Sequence, residues 1–271
     1  MTPFSVLMSI YKKENPSWLR EALDCVFAQA VLPTEIVLVE DGPLTPELYA
    51  VIEEYKEKYS IFNIVKNETN LGLGLALQKG VLACKNEIIA RMDTDDIIPP
   101  DRFAKQLAKI EEGYDVVSCW SQLFMGNPQN IIALKKRPEK HEDIVKLAHR
   151  RSPICHPGTF FRKSALIKAG NYQHCKLYED YHLIIRLIMS GAKFYNMQEV
   201  LYYLRTSPEQ VNRRGGLDYL KTELSFFSEF RRKGFFTTKD YIANSILRIL
   251  VRPMPHNIRK RVLVHIWNHK N

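Results

Sequence analysis

The chain has 271 residues, 45% hydrophobic, 25% charged and 11% aromatic, with a formal net charge of +9. That is an ordinary globular composition, long enough for one large domain or two small ones with a substantial core. No apolar run approaches the 18 or so residues that suggest a membrane span, which excludes a transmembrane helix.

In chain order, Ser5–Ile10 reads as a first strand and Trp18–Gln29 as a helix, with apolar residues at 19, 22, 23, 26 and 27. The strand pattern begins within a few residues of the start, without a basic segment or a long apolar run, so no secretory signal is expected. Pro33 marks a break. Glu35–Val39 is a near-continuous apolar strand ending at Glu40-Asp41-Gly42. Pro46–Tyr59 reads as a helix and Phe62–Val65 as a short strand. Leu73–Cys84 reads as a helix that follows the loop Asn70-Leu71-Gly72. Ile88–Met92 is a fourth strand, Arg102–Gly113 a helix and Asp115–Trp120 a fifth strand. This alternation predicts an α/β sheet with parallel strands. From about 126 to 160 the pattern weakens into Pro- and Lys-rich sequence. Helical signal returns at Ser164–Ala169 and Tyr178–Ser190, followed by Tyr202–Arg205, a loop and basic amphipathic helices.

The fourth strand delivers Asp93-Thr94-Asp95-Asp96. Three carboxylates in four residues repel one another unless a cation neutralises them or one stays protonated. Such oxygen-rich groups suit Mg²⁺ or Mn²⁺ holding a substrate diphosphate. The same run also reads as an Asp-rich turn and helix cap. Two strands end in acids, at Asp41 and Asp93, and in open α/β sheets ligands sit beyond the carboxyl ends of the strands. Arg91 reads as a neutralising partner for the acids.

The five cysteines (25, 84, 119, 155 and 175) have no Cys-x-x-Cys spacing and read as reduced thiols in a cytosolic protein. Zinc on Cys155, His156, His174 and Cys175 would lack a compact ligand spacing. Charge is uneven: residues 201–271 hold 14 Lys and Arg against 5 Asp and Glu, while the first 200 residues balance. A basic tail predicts an anionic partner. Its apolar stripes, with Trp267, suit a helix on an anionic bilayer, or else packing on the catalytic domain or a homo-oligomer contact. No nucleic-acid motif accompanies the charge, so no nucleic acid partner is expected.

The order of these segments resembles glycosyltransferase family 2, nucleotide-sugar-dependent enzymes with the GT-A fold. The resemblance runs from about Ser5 to Arg205. It rests on Ser5–Tyr11, Glu35–Gly42, Asn70–Ala76, the Asp-x-Asp of Asp93-Thr94-Asp95, Cys155–Arg162 and Tyr178–Leu183. It implies a mixed, mainly parallel sheet flanked by helices. Its catalytic domain would be residues 1–205, with a nucleotide-binding half (1–100) and an acceptor-binding half (101–205). Residues 206–271 would form a basic helical extension.

The resemblance also implies an inverting, metal-dependent transfer from a nucleotide-sugar, UDP-sugars first among them, to a glycan or lipid-linked acceptor in bacterial surface-polysaccharide assembly. Mn²⁺ or Mg²⁺ would sit on Asp93 and Asp95. Ser9, Tyr11, Asp41, Gly72, Lys79, Arg91 and Asp93 would bind the donor, with His156 in the donor or acceptor pocket. Asp180 would be the general base and Glu179 the fallback. Taken alone, an acid in a first helical turn is favoured by the helix dipole and capping, and His156 reads equally as a core histidine. Two departures stand out: Ala76-Leu77-Gln78 where many relatives have Ala-Arg-Asn, and Tyr11-Lys12 where they often have Tyr-Asn. The location implied is cytoplasmic, peripheral to the inner face of the membrane.

The rival functions are a catalytically inactive, membrane-associated subunit of the same fold and a sugar nucleotidyltransferase. The latter would be expected to carry an N-terminal Gly-rich phosphate loop, and residues 1–20 contain no glycine. A phosphatase-like Asp-x-Asp would normally follow the first strand, not the fourth.

Overall fold

The structure, a computed structural model, describes residues 2–175, 177–207 and 216–252. These fall in two compact units divided after Arg205, with Leu177 and Tyr178 belonging to the second.

The first unit is built on strands β1 (Phe4–Ile10), β2 (Glu35–Asp41), β3 (Phe62–Asn67), β4 (Ile88–Arg91), β5 (Val116–Met125), β6 (Asn127–Lys135), β7 (Phe160–Arg162) and β8 (Phe194–Arg205). They form one sheet in the order β3-β2-β1-β4-β7-β5-β6, with β8 paired to β5. Strands β1 to β4 are mutually parallel and β7 is antiparallel to both β4 and β5. β1 therefore lies between β2 and β4, and the crevice at its carboxyl end is where the chain order reverses. The expected mixed, mainly parallel sheet flanked by helices is present.

Helices α1 (Pro16–Phe27), α2 (Pro46–Lys58), α3 (Leu73–Ala83), α4 (Arg102–Glu111), α5 (His141–Ala148), α6 (Lys163–Lys168) and α7 (Glu179–Met189) cover the sheet. The period of two along β1 sends Phe4, Val6, Met8 and Ile10 into one apolar layer with α1, α2 and α4. Leu7 enters the other layer with α3, α6 and α7. α1 starts two residues before the expected Trp18, with Pro16 in its first position, and α2 starts at Pro46 as expected. Asn15 caps α1 by accepting from the Ser17 N–H at 2.9 Å, and Thr45 caps α2.

The weakly patterned stretch after residue 126 holds β6, α5 and a short 3₁₀ turn, His156–Gly158. β6 extends β5 into a hairpin and is exposed along almost its whole length, so no alternation marked it. The fifth strand likewise runs to Met125 rather than Trp120.

The second unit contains α8 (Leu217–Arg232) and α9 (Thr238–Val251). Phe226, Phe227, Phe230 and Phe236 form its aromatic core. Glu223, buried, accepts from Arg248 Nε at 2.9 Å and Arg252 Nε at 2.7 Å. The 258–267 part of the expected basic amphipathic sequence lies outside the described residues.

Candidate active site

β4 is four residues long and ends at Arg91, after which the Met92 N–H still donates to Leu7 O. At Asp93 the chain leaves the sheet and is strapped to β8. The Asp93 N–H donates to Tyr202 Oη at 3.0 Å, Arg205 N–H to Asp96 Oδ1 at 2.7 Å and Arg205 Nε to Asp95 O at 2.8 Å. Ile97 and Tyr203 exchange both backbone hydrogen bonds. The loop therefore holds its carboxylates in a fixed array.

Asp93, Asp95 and Asp96 each offer an oxygen within 4.8 Å of the others. Among the described residues no other group of three or more acids, histidines or cysteines is so placed. Burial first, then the Asp93 charge, pushes Asp95 up to about 6. Asp96 is raised well above the carboxylate range, by burial and then by Asp95 and Asp93, and its buried Oδ2 has no hydrogen-bond partner. Glu14, in the β1–α1 loop, is pushed up to about 8 by burial, Asp95 and Asp93. Against four acids stand the buried Arg91, whose Nη2 lies 2.5 Å from Asp93 Oδ1, and Arg205, whose charge also acts on Asp95. Burial works against the Arg91 charge, and Asp93 more than offsets it. An under-neutralised oxygen cluster with an orphaned carboxylate oxygen fits a hard divalent cation.

At the end of β2, Asp41 accepts three hydrogen bonds, from Asn67 Nδ2 at 2.9 Å, Leu71 N at 2.8 Å and Gly72 N at 2.9 Å. It pins the glycine loop, which Gly72 can enter because it adopts φ +87°. Lys79 Nζ donates to Asn67 Oδ1 at 2.7 Å, so Asp41, Gly72 and Lys79 form one network through Asn67. Most of the Asp41 acceptor capacity is thus engaged within the chain, while the Lys79 ammonium spends one donor on Asn67. Ser9 and Tyr11 lie at the end of β1; Thr94 Oγ1 donates to Ser9 O, and Glu14 N to Tyr11 O.

Glu179 and Asp180 open α7, and Asp180 Oδ1 accepts from the Tyr181 N–H at 2.7 Å. Glu179 packs against Gly74, where an added Cβ would lie 3.1 Å from Glu179 Cβ. Burial, then Asp180, raises Glu179. Tyr172 is fully buried near these acids. Its hydroxyl is 2.7 Å from His156 Nε2, and it senses the charges of Arg91, Asp180, Asp93 and Glu179. His156 is itself buried, and burial and Arg91 hold its pKa well below the usual histidine value. It reaches the site through Tyr172 and stays neutral.

Glu14, Asn67, Tyr172, Tyr202 and Arg205 were absent from the sequence-derived set. Glu14 carried a usable sign, an acid just beyond a strand's carboxyl end. Tyr202 and Arg205 carried none, because only the register of β8 on β5 brings them to the acids.

Residues 5–170 match the model of the family described as Glycosyl transferase family 2. The chain is 36% identical over 258 residues to the UDP-Gal:alpha-D-GlcNAc-diphosphoundecaprenol beta-1,3-galactosyltransferase of Escherichia coli, covering 94% of this chain and 93% of that protein. It is also 36% identical over 255 residues to the amylovoran biosynthesis glycosyltransferase AmsE of Erwinia amylovora, covering 93% and 94%. Among solved structures, Staphylococcus aureus TarS 1–349 in complex with UDP-GlcNAc superposes with a TM-score of 0.64 at 16% identity, covering 97% of this chain and 70% of that one. The mannosyltransferase PcManGT from Pyrobaculum calidifontis, in complex with GDP-Man and Mn²⁺, gives 0.63 at 17% identity, covering 86% and 65%. With the fold, the acid-ended strands and these likenesses in agreement, the chain belongs to glycosyl transferase family 2 and is a glycosyltransferase.

Proposed function

We propose that the protein transfers a sugar, with inversion, from a UDP-sugar to a lipid-linked glycan in bacterial polysaccharide assembly. The observation that carries this reading is the under-neutralised cluster of Asp93, Asp95 and Asp96 beyond β4, close enough to the acids that open α7 for Tyr172 to feel the charges of Arg91, Asp93, Glu179 and Asp180 together. The E. coli relative's name specifies UDP-Gal and a diphosphoundecaprenol acceptor, which supports the donor and acceptor classes. The Mn²⁺ complex of the mannosyltransferase neighbour supports the metal.

Asp93 and Asp95 would hold Mn²⁺ or Mg²⁺, which when bound supplies Lewis-acid stabilisation of the leaving diphosphate. Arg91 fixes the direction of Asp93. The Asp41–Asn67–Lys79 network fixes the glycine loop beside the nucleotide. Asp180 takes the proton of the attacking acceptor hydroxyl, a contribution of about 10²–10⁴-fold, with Glu179 beside it. One base opposite one leaving group makes a single displacement that inverts the anomeric centre. A lipid-anchored acceptor sets the reaction at the cytoplasmic face of a membrane.

The test is nucleotide release from a panel of UDP- and GDP-sugars, with and without Mn²⁺ or Mg²⁺, for wild type, Asp95→Ala and Asp180→Asn. Adding a short-chain GlcNAc-diphospholipid as acceptor measures transfer. Metal-dependent release from one donor, lost in Asp95→Ala, is the expected result. Failure to bind or turn over any nucleotide-sugar, by calorimetry and by release, would leave the inactive-subunit reading.

A further inference from the structure

We infer that the outward face of α9 is a docking surface for an anionic lipid bilayer. The inference stands on the second unit alone and is independent of the donor chemistry.

α9 is built inside out. Its inward face is largely polar: Asn244 and Ser245 are buried and Arg248 is nearly so, with Val251 the buried apolar residue at its end. Its outward face carries Ile242, Ile246, Leu247, Ile249 and Leu250, exposed by 50%, 53%, 39%, 49% and 61%. Positions 242, 246, 249 and 250 follow the i, i+4, i+7, i+8 spacing of one helical stripe. In a globular helix that stripe would face the core. Here it cannot turn inward, because Arg248 is bonded to buried Glu223 and to Asn244 O and Oδ1, and stacks on Phe227 at 4.2 Å. Rotating the helix would strand Glu223 without its partners, which is strongly unfavourable for a buried charge. The exposed stripe is therefore fixed in place.

Charge selects the occupant. The last turn of α8, the residue after it and the first turn of α9 carry the exposed residues Arg231, Arg232, Lys233 and Lys239. The acids nearest in sequence have local duties: Glu229 pairs with Lys233 at 2.6 Å, and Asp240 closes a capping box with Thr237. Residues 201–271 hold 14 basic against 5 acidic side chains. A second copy docked on this face would bring like charges together, whereas an anionic surface complements them. An aliphatic stripe that follows a cluster of Arg and Lys in sequence is the composition of a helix lying in the plane of a bilayer interface. Among the described residues, no helix is long and apolar enough to cross a membrane.

The experiment is co-sedimentation of the full chain with vesicles of phosphatidylglycerol and phosphatidylcholine, and with phosphatidylcholine alone. Wild type is expected to partition onto the anionic vesicles. Ile242→Gln, Ile246→Gln and Ile249→Gln combined should weaken that binding at least about tenfold. Arg231→Gln with Arg232→Gln should weaken it by about fivefold or more on anionic vesicles only. Leu82→Gln, at an exposed leucine of α3, should bind as wild type. Circular dichroism and nucleotide release from a soluble donor should match wild type in the triple variant, which separates loss of the surface from loss of fold or transferase activity. Equal binding by wild type and the triple variant overturns the inference. So does absence of wild-type binding, or a lipid-free dimer that the triple variant converts to monomer.

Discussion

Buried in the sheet, the Arg91 guanidinium meets Asp93 Oδ1 at 2.5 Å, and it is the one arginine ion-paired to the acidic cluster among the described residues. Its Nε and Nη1 are buried without partners, so the side chain is held mainly by Asp93 and by packing. Arg91→Met should lower kcat/KM at least about 100-fold, because Asp93 loses the group that directs it. Stability should fall by about 1–3 kcal/mol, discounted because Asp93 is partly exposed. Mn²⁺ affinity should hold or rise, since a positive charge has left the site. Titration calorimetry beside kinetics checks the split; a loss of metal binding in step with the loss of rate would contradict the positioning role.

The acids store instability that a cation would relieve. Asp95, raised to about 6 from 3.8, binds protons in the folded state that it would release in the unfolded chain. Ionised at neutral pH, it therefore destabilises the metal-free protein, and that penalty shrinks as pH falls through the window from 6 to 3.8. Asp95→Asn should raise the Tm of the EDTA-treated protein, by about 1–3 kcal/mol at about 2–4 °C per kcal/mol. Saturating Mn²⁺ should stabilise wild type and leave the variant nearly unmoved. Differential scanning fluorimetry reads both.

Where burial was one-sided or complete, the fold was legible in the sequence. β2 is buried at all seven positions and wrote a continuous apolar run, and α1 and α2 wrote their stripes. The acids at 41, 93, 95 and 96 were visible because each ends or follows such a strand. β6 was invisible because it is exposed on both faces, and β8 was seen only at its end because bulges in its pairing with β5 break the alternation. The site divides the same way. Local groups such as Arg91 and Asp93 could be read, while Tyr172 on His156 and Tyr202 on Asp93 depend on pairings made 16 and 109 residues apart.

Gly80 tests the seat of the glycine-loop helix. A Cβ there would lie 2.3 Å from Leu7 Cδ1 and 2.9 Å from Val39 Cγ2, so α3 approaches β1 and β2 through a position with no side chain. Gly80→Ala should destabilise by about 1–2 kcal/mol, the overpacking cost reduced by the better helix propensity of alanine. Leu7→Ala alone should cost about 2–4 kcal/mol. The double variant should fall short of the sum by at least about 1 kcal/mol, because each change relieves the other. Urea unfolding of the four proteins measures the coupling; strict additivity would mean the two residues do not meet.

His156 sets a pH dependence of opposite sign to that of the acids. Its folded pKa is depressed, by burial and by Arg91, below the 6.5 of an ordinary histidine. Below pH 6.5 the unfolded chain takes up a proton that the native state refuses, so stability is lost as pH falls. The slope from this residue approaches about 1.4 kcal/mol per pH unit. His156→Gln should flatten the loss of stability between pH 6.5 and 5 relative to wild type, with the raised carboxylates acting equally on both proteins. Urea midpoints across that range decide it, and identical slopes would show that His156 charges inside the fold.

Glu179 and Asp180 can be separated by where their pH limbs fall. Asp180 Oδ1 accepts the Tyr181 N–H in the first turn of α7. Glu179 is raised by burial and by its neighbour, so it holds its proton to a higher pH than an ordinary glutamate. With Asp180 as base, Asp180→Asn should lower acceptor-dependent transfer by about 10²–10⁴-fold while donor binding is retained. Glu179→Gln should then cost about tenfold or less and leave the acid limb of kcat/KM where wild type has it. If Glu179 is the base, the severities exchange. The wild-type limb then lies above the ordinary carboxylate range, and Glu179→Gln removes it. Transfer rates between pH 5 and 9, at saturating metal and donor, assign the role.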